Sequence, residues 1–431
     1  MVDDQTSYPT IDDGLKKCDA PIHRLSFDVL SQIFLECLPD FPSLPSVLSD
    51  EAPVLLGRIC SHWRAVALNT HQLWPGISLG SGSSRADYRK DILAAAEWKT
   101  RAGACLLSYC LSRRTPDGIL DFILRHCGQW RHIEVNLKMD GWNRVYGAIS
   151  QGRVPHLRYL DIQILNPSFH TREPFEFRND VQIDIPFPGV PQLQSLLTRV
   201  NVKLHFSGMK SPSLRMLIFD YQTLSLDDCW TCLRYCPNLE HFSAICDEGD
   251  PFTFSPDIIE AKALKHFQLT IEAAGFDCFL DVIHAPSLEI LTVNFYHHNL
   301  PRLWRFLEIS GAHLLGMNIK APMTGDQIIE CLPYTPALTS LELRNALLND
   351  AIIEALTLGP RQAISHYNLC PKLQRIVLVE TSLMSLDIMK TMILSRWGGV
   401  GETVMLSNGG PDSNWEKKPS QHLTRQPRFR R

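Results

Sequence analysis

The sequence predicts an α/β protein in which a short all-α module precedes an irregular solenoid, a curved parallel sheet whose strands are joined by helical returns. The solenoid is predicted by the phrase Pro-x-Leu-x-x-Leu-x-apolar, which recurs along most of the chain, mostly at steps of 21 to 26 residues. The module is predicted by residues 21–79, where apolar side chains recur every three or four residues, the spacing of amphipathic helices.

The composition is that of an ordinary protein with a packed core. The 431 residues include 42 Lys and Arg against 46 Asp and Glu, and 45% of them are hydrophobic. This balance argues against wholesale disorder and against a strongly basic nucleic-acid binder. No apolar run approaches the roughly 18 residues of a membrane span, and the acidic N-terminus does not resemble a secretory signal. We therefore expect a protein of the cytoplasm, the nucleus or both, with no membrane partner.

The chain divides into four zones and a linker. Residues 1–20, rich in Asp, and residues 411–431, rich in Lys and Arg, are expected to be disordered tails. Residues 21–79 form the helical module and residues 86–408 the solenoid, with the Gly/Ser-rich residues 80–85 as the linker. The basic tail could attract nucleic acid or act as an import signal, but only two aromatic residues accompany its cations, so we expect it to be solvated and to have no nucleic-acid partner.

The module contains two predicted helices. Either Ser26 or Asp28 can accept hydrogen bonds from the free amides at the start of the first helix, and Pro39 ends it. After a Pro/Ser-rich loop, Asp50 is expected to cap the second helix, with Pro53 in its first turn. The apolar face of the second helix is predicted to comprise Leu55, Ile59, Trp63 and Val66.

The module also carries a recognisable pattern. The run from Arg58 to Arg64 reads RICSHWR and is followed by Leu73 and Trp74 at a fixed distance. This pattern resembles the F-box motif, and the longer phrase APVLLGRICSHWRAVALNTHQLW is similar to the F-box-like family of mushroom-forming fungi. That motif usually opens with Leu-Pro and an acid, whereas this chain has a serine after Leu25.

The resemblance implies that the module binds a Skp-type adaptor, which would connect the chain to a cullin ubiquitin ligase. A few aliphatic and aromatic anchors would provide most of the affinity. An alternative is that Trp63, Ile59 and Leu73 are the core of a small helical cap on the solenoid. The residues that the resemblance assigns to adaptor binding are Leu25, Val29, Ile33, Leu38, Leu55, Ile59, Cys60 and Trp63.

The repeats have the period of leucine-rich repeats, about 20 to 29 residues. Each copy is expected to turn its first leucine and two strand residues inward, and stacking buries them in a continuous core. Helical returns are predicted for the repeats, with clear examples at 226–236, 325–334 and 386–397. Further copies are expected at Trp130 and in the phrase that begins at Ala104. The first leucines are Leu157, Leu193, Leu214, Leu239, Leu264, Leu288, Leu314, Leu338 and Leu373.

Two steps between repeats are long. The first contains residues 166–190, which mix four phenylalanines with charged residues, and which either form a binding loop or fold onto the edge of the solenoid. The second, residues 348–368, is expected to be a longer helical return and a loop.

The remaining clusters of reactive side chains predict packing. Cys229 and Cys232 have a Cys-x-x-Cys spacing, but they fall on the apolar face of a predicted return helix, so we expect core positions. His297 and His298 would point to opposite faces of a strand, which is a poor geometry for metal binding. No Gly-rich phosphate loop, GxSxG or HExxH sequence is present. We therefore expect no catalytic residues, no cofactor and no metal.

These inferences predict a non-enzymatic substrate-recognition subunit of a cullin ubiquitin ligase. The module would bind the adaptor, and the solenoid would bind an unknown target protein on its concave strands or its insertion loop. The alternative is a protein-binding leucine-rich-repeat scaffold in which the module is only an N-terminal cap.

Overall fold

The computed structural model forms two compact units, residues 1–141 and residues 142–431. Both tails, most of the linker, residues 166–181 of the first insertion, and His297 with His298 lie outside the described residues, and so do the predictions made for them. The structure describes residues 21–47, 50–80, 85–112, 115, 117–164, 182–246, 257–271, 279–295, 302–359, 369–379, 385–397 and 406–407.

The first unit combines the helical module with a short parallel sheet formed, in this order, by the strands Gly76–Leu79, Leu107–Leu111 and Trp130–Leu137. Within the described part of the chain, no helix is both long enough and apolar enough to cross a bilayer. The elements of the first unit are α1 (Phe27–Glu36), α2 (Leu56–Ile59), α3 (Ser61–Asn69), β1 (Gly76–Leu79), α4 (Arg85–Ala102), β2 (Leu107–Leu111), α5 (Asp117–Arg125) and β3 (Trp130–Leu137).

The module departs from the prediction in its second half. Ser26 caps α1 as expected, because its side chain accepts a hydrogen bond from the amide of Val29. The predicted single helix from Asp50 is wrong, because Cys60 adopts an extended conformation, with φ −156° and ψ 172°, and separates α2 from α3. The Cys60 Sγ then accepts a hydrogen bond from the amide of Trp63 at 3.4 Å and caps α3. Asp50 and Pro53 lie in turns that precede α2.

The loop between α1 and α2 joins the module to the edge of β1. The amide of Ser78 donates a hydrogen bond to the Pro45 carbonyl at 2.8 Å, and Ser46 forms a parallel bridge with Ser78. Behind this edge, the Trp74 Nε1 donates to the Ala67 carbonyl at 2.8 Å, and its ring meets Trp98 edge-on at 5.2 Å. The module therefore shields the otherwise open edge of the first strand.

The second unit is an α/β structure with one large parallel sheet and two small sheets of two strands each. Helix α6 (Met139–Ser150) begins in the last residues of the first unit and continues into the second. The other helices are α7 (Leu226–Tyr235), α8 (Leu303–Ser310), α9 (Gly325–Cys331), α10 (Asp350–Leu356) and α11 (Leu386–Trp397). The strands are β4 (Tyr159–Ile164), β5 (Gln182–Pro186), β6 (Ser195–Thr198), β7 (Asn201–His205), β8 (Met216–Leu224), β9 (His241–Cys246), β10 (Ile259–Glu260), β11 (His266–Ile271), β12 (Ile283–His284), β13 (Ile290–Phe295), β14 (Gly316–Lys320), β15 (Ser340–Arg344), β16 (Arg375–Val379) and β17 (Leu406–Ser407). In this unit the large sheet has the order β4-β6-β8-β9-β11-β13-β14-β15-β16-β17, and the small sheets are β5-β7 and β10-β12.

The register of the large sheet follows the repeated phrase. From β4 to β16, every strand of this sheet begins two residues after the first leucine of its copy. His241 is therefore paired with Met216 on one side and with His266 on the other, and the same phase continues to Arg375. We number positions from the first leucine of each copy, so that His241 occupies position +2 of the copy that begins at Leu239.

The core is formed by three positions of each copy, as the sequence predicted. The first leucine is buried in all nine copies, and positions +3 and +5 are buried in all nine as well. In the copy of Leu264, for example, Phe267 and Leu269 face inward while Gln268 is partly exposed. The two extra copies are also confirmed, since Trp130 is buried at the start of β3 and β2 follows Ala104.

The repeats are joined by a recurrent hydrogen bond in which one carbonyl accepts two amides. The Glu240 carbonyl accepts from the amides of Lys265 and His266, both at 2.9 Å, and the Lys265 carbonyl accepts in the same way from Glu289 and Ile290. The same arrangement is made by the carbonyls of Arg158, Gln194, Arg215, Glu289, Leu315 and Thr339. It fixes each copy against the next at position +1.

Helical returns are only part of the connections. The three predicted examples are confirmed as α7, as α9 with the 3-10 turn Leu332–Tyr334, and as α11. The expectation that the returns are helical is wrong where the chain forms β5 with β7 and β10 with β12. In β5, the side chains alternate between buried Ile183 and Ile185 and exposed Asp184, a period of two that favours a strand.

Two adjacent leucines provide a test of this packing. Leu314 is fully buried at a corner, whereas Leu315 is 43% exposed beside it. We expect Leu314→Ala to lower the free energy of unfolding by about 2 to 5 kcal/mol, because it leaves a cavity in the core. Leu315→Ala is the matched control and should cost well under half as much. Urea unfolding followed by circular dichroism measures the free energy of unfolding of both variants. Equal losses would contradict the assignment of the first leucine of each copy to the core.

Candidate functional site

The first candidate site is an apolar surface on the helical module. Among the described residues, fifteen large apolar side chains are exposed, and seven of them lie in this short segment. Such a concentration of exposed apolar side chains is typical of a protein-binding surface. The seven are Phe27, Val29, Ile33, Phe41, Leu55, Ile59 and Leu68.

None of the eight residues assigned to adaptor binding is buried. Val29 is 46% exposed, Ile33 40%, Leu55 40% and Ile59 55%. The other four are partly exposed: Leu25, Leu38, Cys60 and Trp63. Different side chains form the core of the module, namely Leu30, Phe34, Leu56, Val66, Ala67 and Leu73. The alternative prediction was that Trp63, Ile59 and Leu73 form the core of a cap. It is confirmed for Leu73, which is buried, and wrong for Ile59, which is exposed.

Contacts within the module hold this surface in place. The rings of Phe34 and Trp63 lie 4.9 Å apart, so that α1 is packed against α3. The Arg64 Nε donates to the Gly57 carbonyl at 2.7 Å and ties α3 to α2. The hydroxyls of Ser31 and Thr70 are 2.9 Å apart and join α1 to the end of α3. Five of the seven exposed side chains thus project from a fixed arrangement of three helices, namely Phe27, Val29, Ile33, Ile59 and Leu68.

Phe27, Phe41 and Leu68 are exposed residues that the sequence reasoning missed. Phe41 lies in the loop after α1, and its ring meets the buried His132 of β3 edge-on at 5.1 Å. Burial, with a smaller contribution from the Arg131 cation, lowers the pKa of His132 to about 3. Loop residues carry no periodic signal, so only the aromatic character of Phe41 could have indicated this contact.

The second candidate site is the outer face of the large sheet in the second unit. Positions +2 and +4 are at least partly exposed in most copies and point outward between the buried positions, whereas Tyr159, Asp161 and Met216 at these positions are buried. On β9 and β11, the rings of His241 and His266 stack at 4.3 Å. Burial, followed by the neighbouring His266 and Lys265, lowers the pKa of His241 to about 4, although Glu240 opposes this shift. Burial also lowers the pKa of His266, so both rings are neutral near pH 7.

The charged residues beside this face form pairs with one another. Glu240 accepts hydrogen bonds from Arg215 and, at 3.2 Å, from Lys265. Burial opposes the ionisation of Glu240, but these two cations together outweigh it and hold its pKa below the usual value. On β15, the Arg344 Nε donates to Glu342 at 2.6 Å.

The cysteine group is a packed part of the core, as predicted. Cys229, Cys232, Cys236 and Cys246 are all buried, and the Sγ atoms of Cys229 and Cys246 are 3.5 Å apart. A hydrogen bond with Cys246 and burial raise the pKa of the Cys229 thiol, and burial raises that of Cys236 to about 12. Within the described ranges, no group of three or more His, Cys, Asp and Glu residues is placed to hold a metal ion.

Comparison with models of known protein families and with curated protein sequences gave no match. The candidate functional sites are therefore the two surfaces described above, the apolar surface of the module and the outer face of the sheet.

The burial of the thiols predicts their reactivity. With the folded protein, we expect iodoacetamide to modify the exposed Cys37 first and to leave Cys229, Cys232 and Cys246 unmodified, because alkylation requires an accessible thiolate. Peptide mass spectrometry with and without urea measures the difference. Equal modification of Cys37 and Cys229 in the folded protein would contradict the packing.

The buried His132 predicts a pH dependence of stability. Its pKa of about 3 in the folded state lies below the ordinary histidine value of about 6.5, so the unfolded chain binds more protons between these values. The contribution of the neutral His132 to the free energy of unfolding is fully present above pH 6.5. It decreases as the pH falls, by up to about 1.4 kcal/mol per pH unit. Urea unfolding at pH 7.0 and pH 5.0 measures this slope. His132→Phe and His132→Gln should both flatten it, and an unchanged slope in both variants would disprove the contribution.

Proposed function

We propose that the chain is a substrate-recognition subunit of a cullin ubiquitin ligase. The helical module binds a Skp-type adaptor, and the repeat unit, a leucine-rich-repeat solenoid, binds a target protein. The observation that carries the proposal is the exposure of the apolar side chains that the F-box resemblance assigns to adaptor binding. A module that served only as a cap would bury those side chains instead.

The placement of the exposed apolar side chains supports this use of the module. The exposed residues of α1 include Val29 and Ile33, which lie one helical turn apart and project from the same side. Ile59 at the end of α2 adds the most exposed of the assigned side chains. Aliphatic anchors on adjacent helices fit an apolar groove between helices of a partner.

The subunit performs no chemistry in this mechanism. Binding of the target raises the effective concentration of its lysines near a conjugating enzyme that is recruited through the cullin. The rate of ubiquitin transfer then depends on how long the target remains bound and on how its lysines are oriented.

A second candidate function is that of a binding scaffold without ligase coupling. It is favoured by the bridge between Ser46 and Ser78, through which the module covers the edge of β1. The two functions are compatible, because the covering residues Pro45 and Ser46 belong to the loop, whereas Val29, Ile33 and Ile59 belong to the helices. Removing residues 1–79 would not separate them, since it would also delete β1 and expose β2.

Single substitutions on the full chain separate the two functions. We expect Ile33→Asp and Ile59→Asp each to weaken binding to a purified Skp-type adaptor by about 30-fold or more, because a charge replaces an apolar anchor. Leu347→Asp is the matched control, since Leu347 is 59% exposed in the second unit, and it should bind as the unchanged chain does. Isothermal titration calorimetry measures the affinities, and circular dichroism verifies that each variant is folded.

Two outcomes would contradict the proposal. In the first, the folded full chain fails to bind any Skp-type adaptor from the same organism. In the second, it binds the adaptor equally well with and without the two substitutions, which would place the contact elsewhere.

A further inference from the structure

Two histidine rings lie side by side on the outer face of the sheet in the second unit. His241 and His266 occupy position +2 of neighbouring copies, and β9 and β11 pair them directly in register. Their rings stack with centroids 4.3 Å apart and planes 28° apart, and both residues are partly exposed. The backbone of two strands therefore holds the rings together, and we call these two residues the histidine pair.

The ring nitrogens of the histidine pair are not used within the part of the chain that the structure describes, since neither ring makes a hydrogen bond or an ion pair there. Two other cross-strand histidines of this unit differ in this respect. His205 is bonded to Asp184 at 3.0 Å, and His284 is bonded to Glu260 at 2.8 Å. In those two cases a carboxylate already engages the imidazole. An imidazole with an unused nitrogen is the commonest metal ligand in proteins.

The spacing of the two rings suits a single metal ion. Zinc is bound by imidazole nitrogen at about 2.0 to 2.1 Å, so two nitrogens of a tetrahedral site lie about 3.3 Å apart. Rings that stack at 4.3 Å can bring their nitrogens this close by small rotations about χ2, which is a broad torsion in histidine. Zinc also has no geometric preference from its d electrons, so it tolerates the arrangement that the two strands impose.

The charges beside the histidine pair balance one another. Position +1 of the copies that contain β8, β9, β11 and β13 is occupied by Arg215, Glu240, Lys265 and Glu289, two cations and two anions. Glu240 forms ion pairs with both cations, at 3.2 Å in the case of Lys265. A cation bound by the two rings therefore meets no net positive charge from this position of the neighbouring strands.

We propose that His241 and His266 together bind a zinc ion on the outer face of the sheet, with water in the remaining coordination positions. The described residues contain no group of three or more His, Cys, Asp and Glu side chains that could hold a metal ion, so the site has two protein ligands. The open positions can accept a further ligand from a bound molecule. This inference does not depend on the proposed function.

Sequence motifs predict no metal site here, because the two ligands are 25 residues apart in the chain. They meet only through the register of β9 and β11, which the repeats determine. A pair of adjacent histidines in one strand would instead point to opposite faces of the sheet.

The test uses the folded full chain without an affinity tag, near pH 7, with Zn²⁺ as the probe. Isothermal titration calorimetry should show one tightest site. His241→Gln and His266→Gln should each weaken this site about 10-fold or more, because either change leaves a single imidazole and removes chelation. The double variant should bind little more weakly than either single variant, since chelation is already lost in each.

Two further measurements locate the ion. His313→Gln is the matched control, because His313 is an exposed histidine outside the pair, and it should leave the zinc affinity unchanged. X-ray absorption at the zinc edge, with one equivalent of zinc, should show two imidazole nitrogens at about 2.0 Å and no sulfur ligand. Circular dichroism verifies that each variant is folded.

The proposal is overturned if the folded chain binds no stoichiometric zinc, or if either His241→Gln or His266→Gln binds it as the unchanged chain does. It is also overturned if the absorption spectrum shows sulfur ligands, which would place the ion on cysteines. Ile33→Asp should weaken adaptor binding without changing zinc affinity, so the failure of either proposal is measured independently of the other.

Discussion

The hydrogen bond that joins consecutive copies at position +1 is the constraint on which the second unit depends. One carbonyl, such as that of Glu240, accepts the amides of two successive residues of the next copy. Because this pairing recurs from Arg158 to Thr339, each strand enters the sheet in the same phase as its predecessor. A shift of one residue would turn every buried side chain of a copy toward solvent, so the shared phase and the buried leucines stabilise each other.

The same constraint explains which positions of each copy could be predicted from the sequence. The first leucine of each copy must fill a corner and position +3 must face inward, so apolar residues recur there with a period that can be read directly. The small residues at the turn before each leucine follow from the same geometry, since Ser211, Cys236 and Ala285 are all buried there. Prediction succeeded at these positions because a single physical requirement is repeated nine times.

Other features depend on contacts that no local pattern reports. β1 was not predicted, because its four residues follow Pro75 and become a strand only by pairing with β2 and with the loop at Ser46. Cys60 was assigned to a helix because its neighbours have helical spacing, although its own backbone is extended. For Ile59, the spacing indicated an apolar face but not whether that face is buried, which depends on how α2 packs against α3.

The two candidate surfaces differ in how they are coupled to stability. Outward positions such as Gln268 and Asn318 alternate with buried ones, so a repeat can change what it binds without altering the core beneath it. The apolar surface of the module has no such separation, because Trp63 both contacts Phe34 in the core and is partly exposed. A surface built in this way is costly to change, which suits a contact with one constant partner, whereas the outward positions of the sheet can change with little effect on the core.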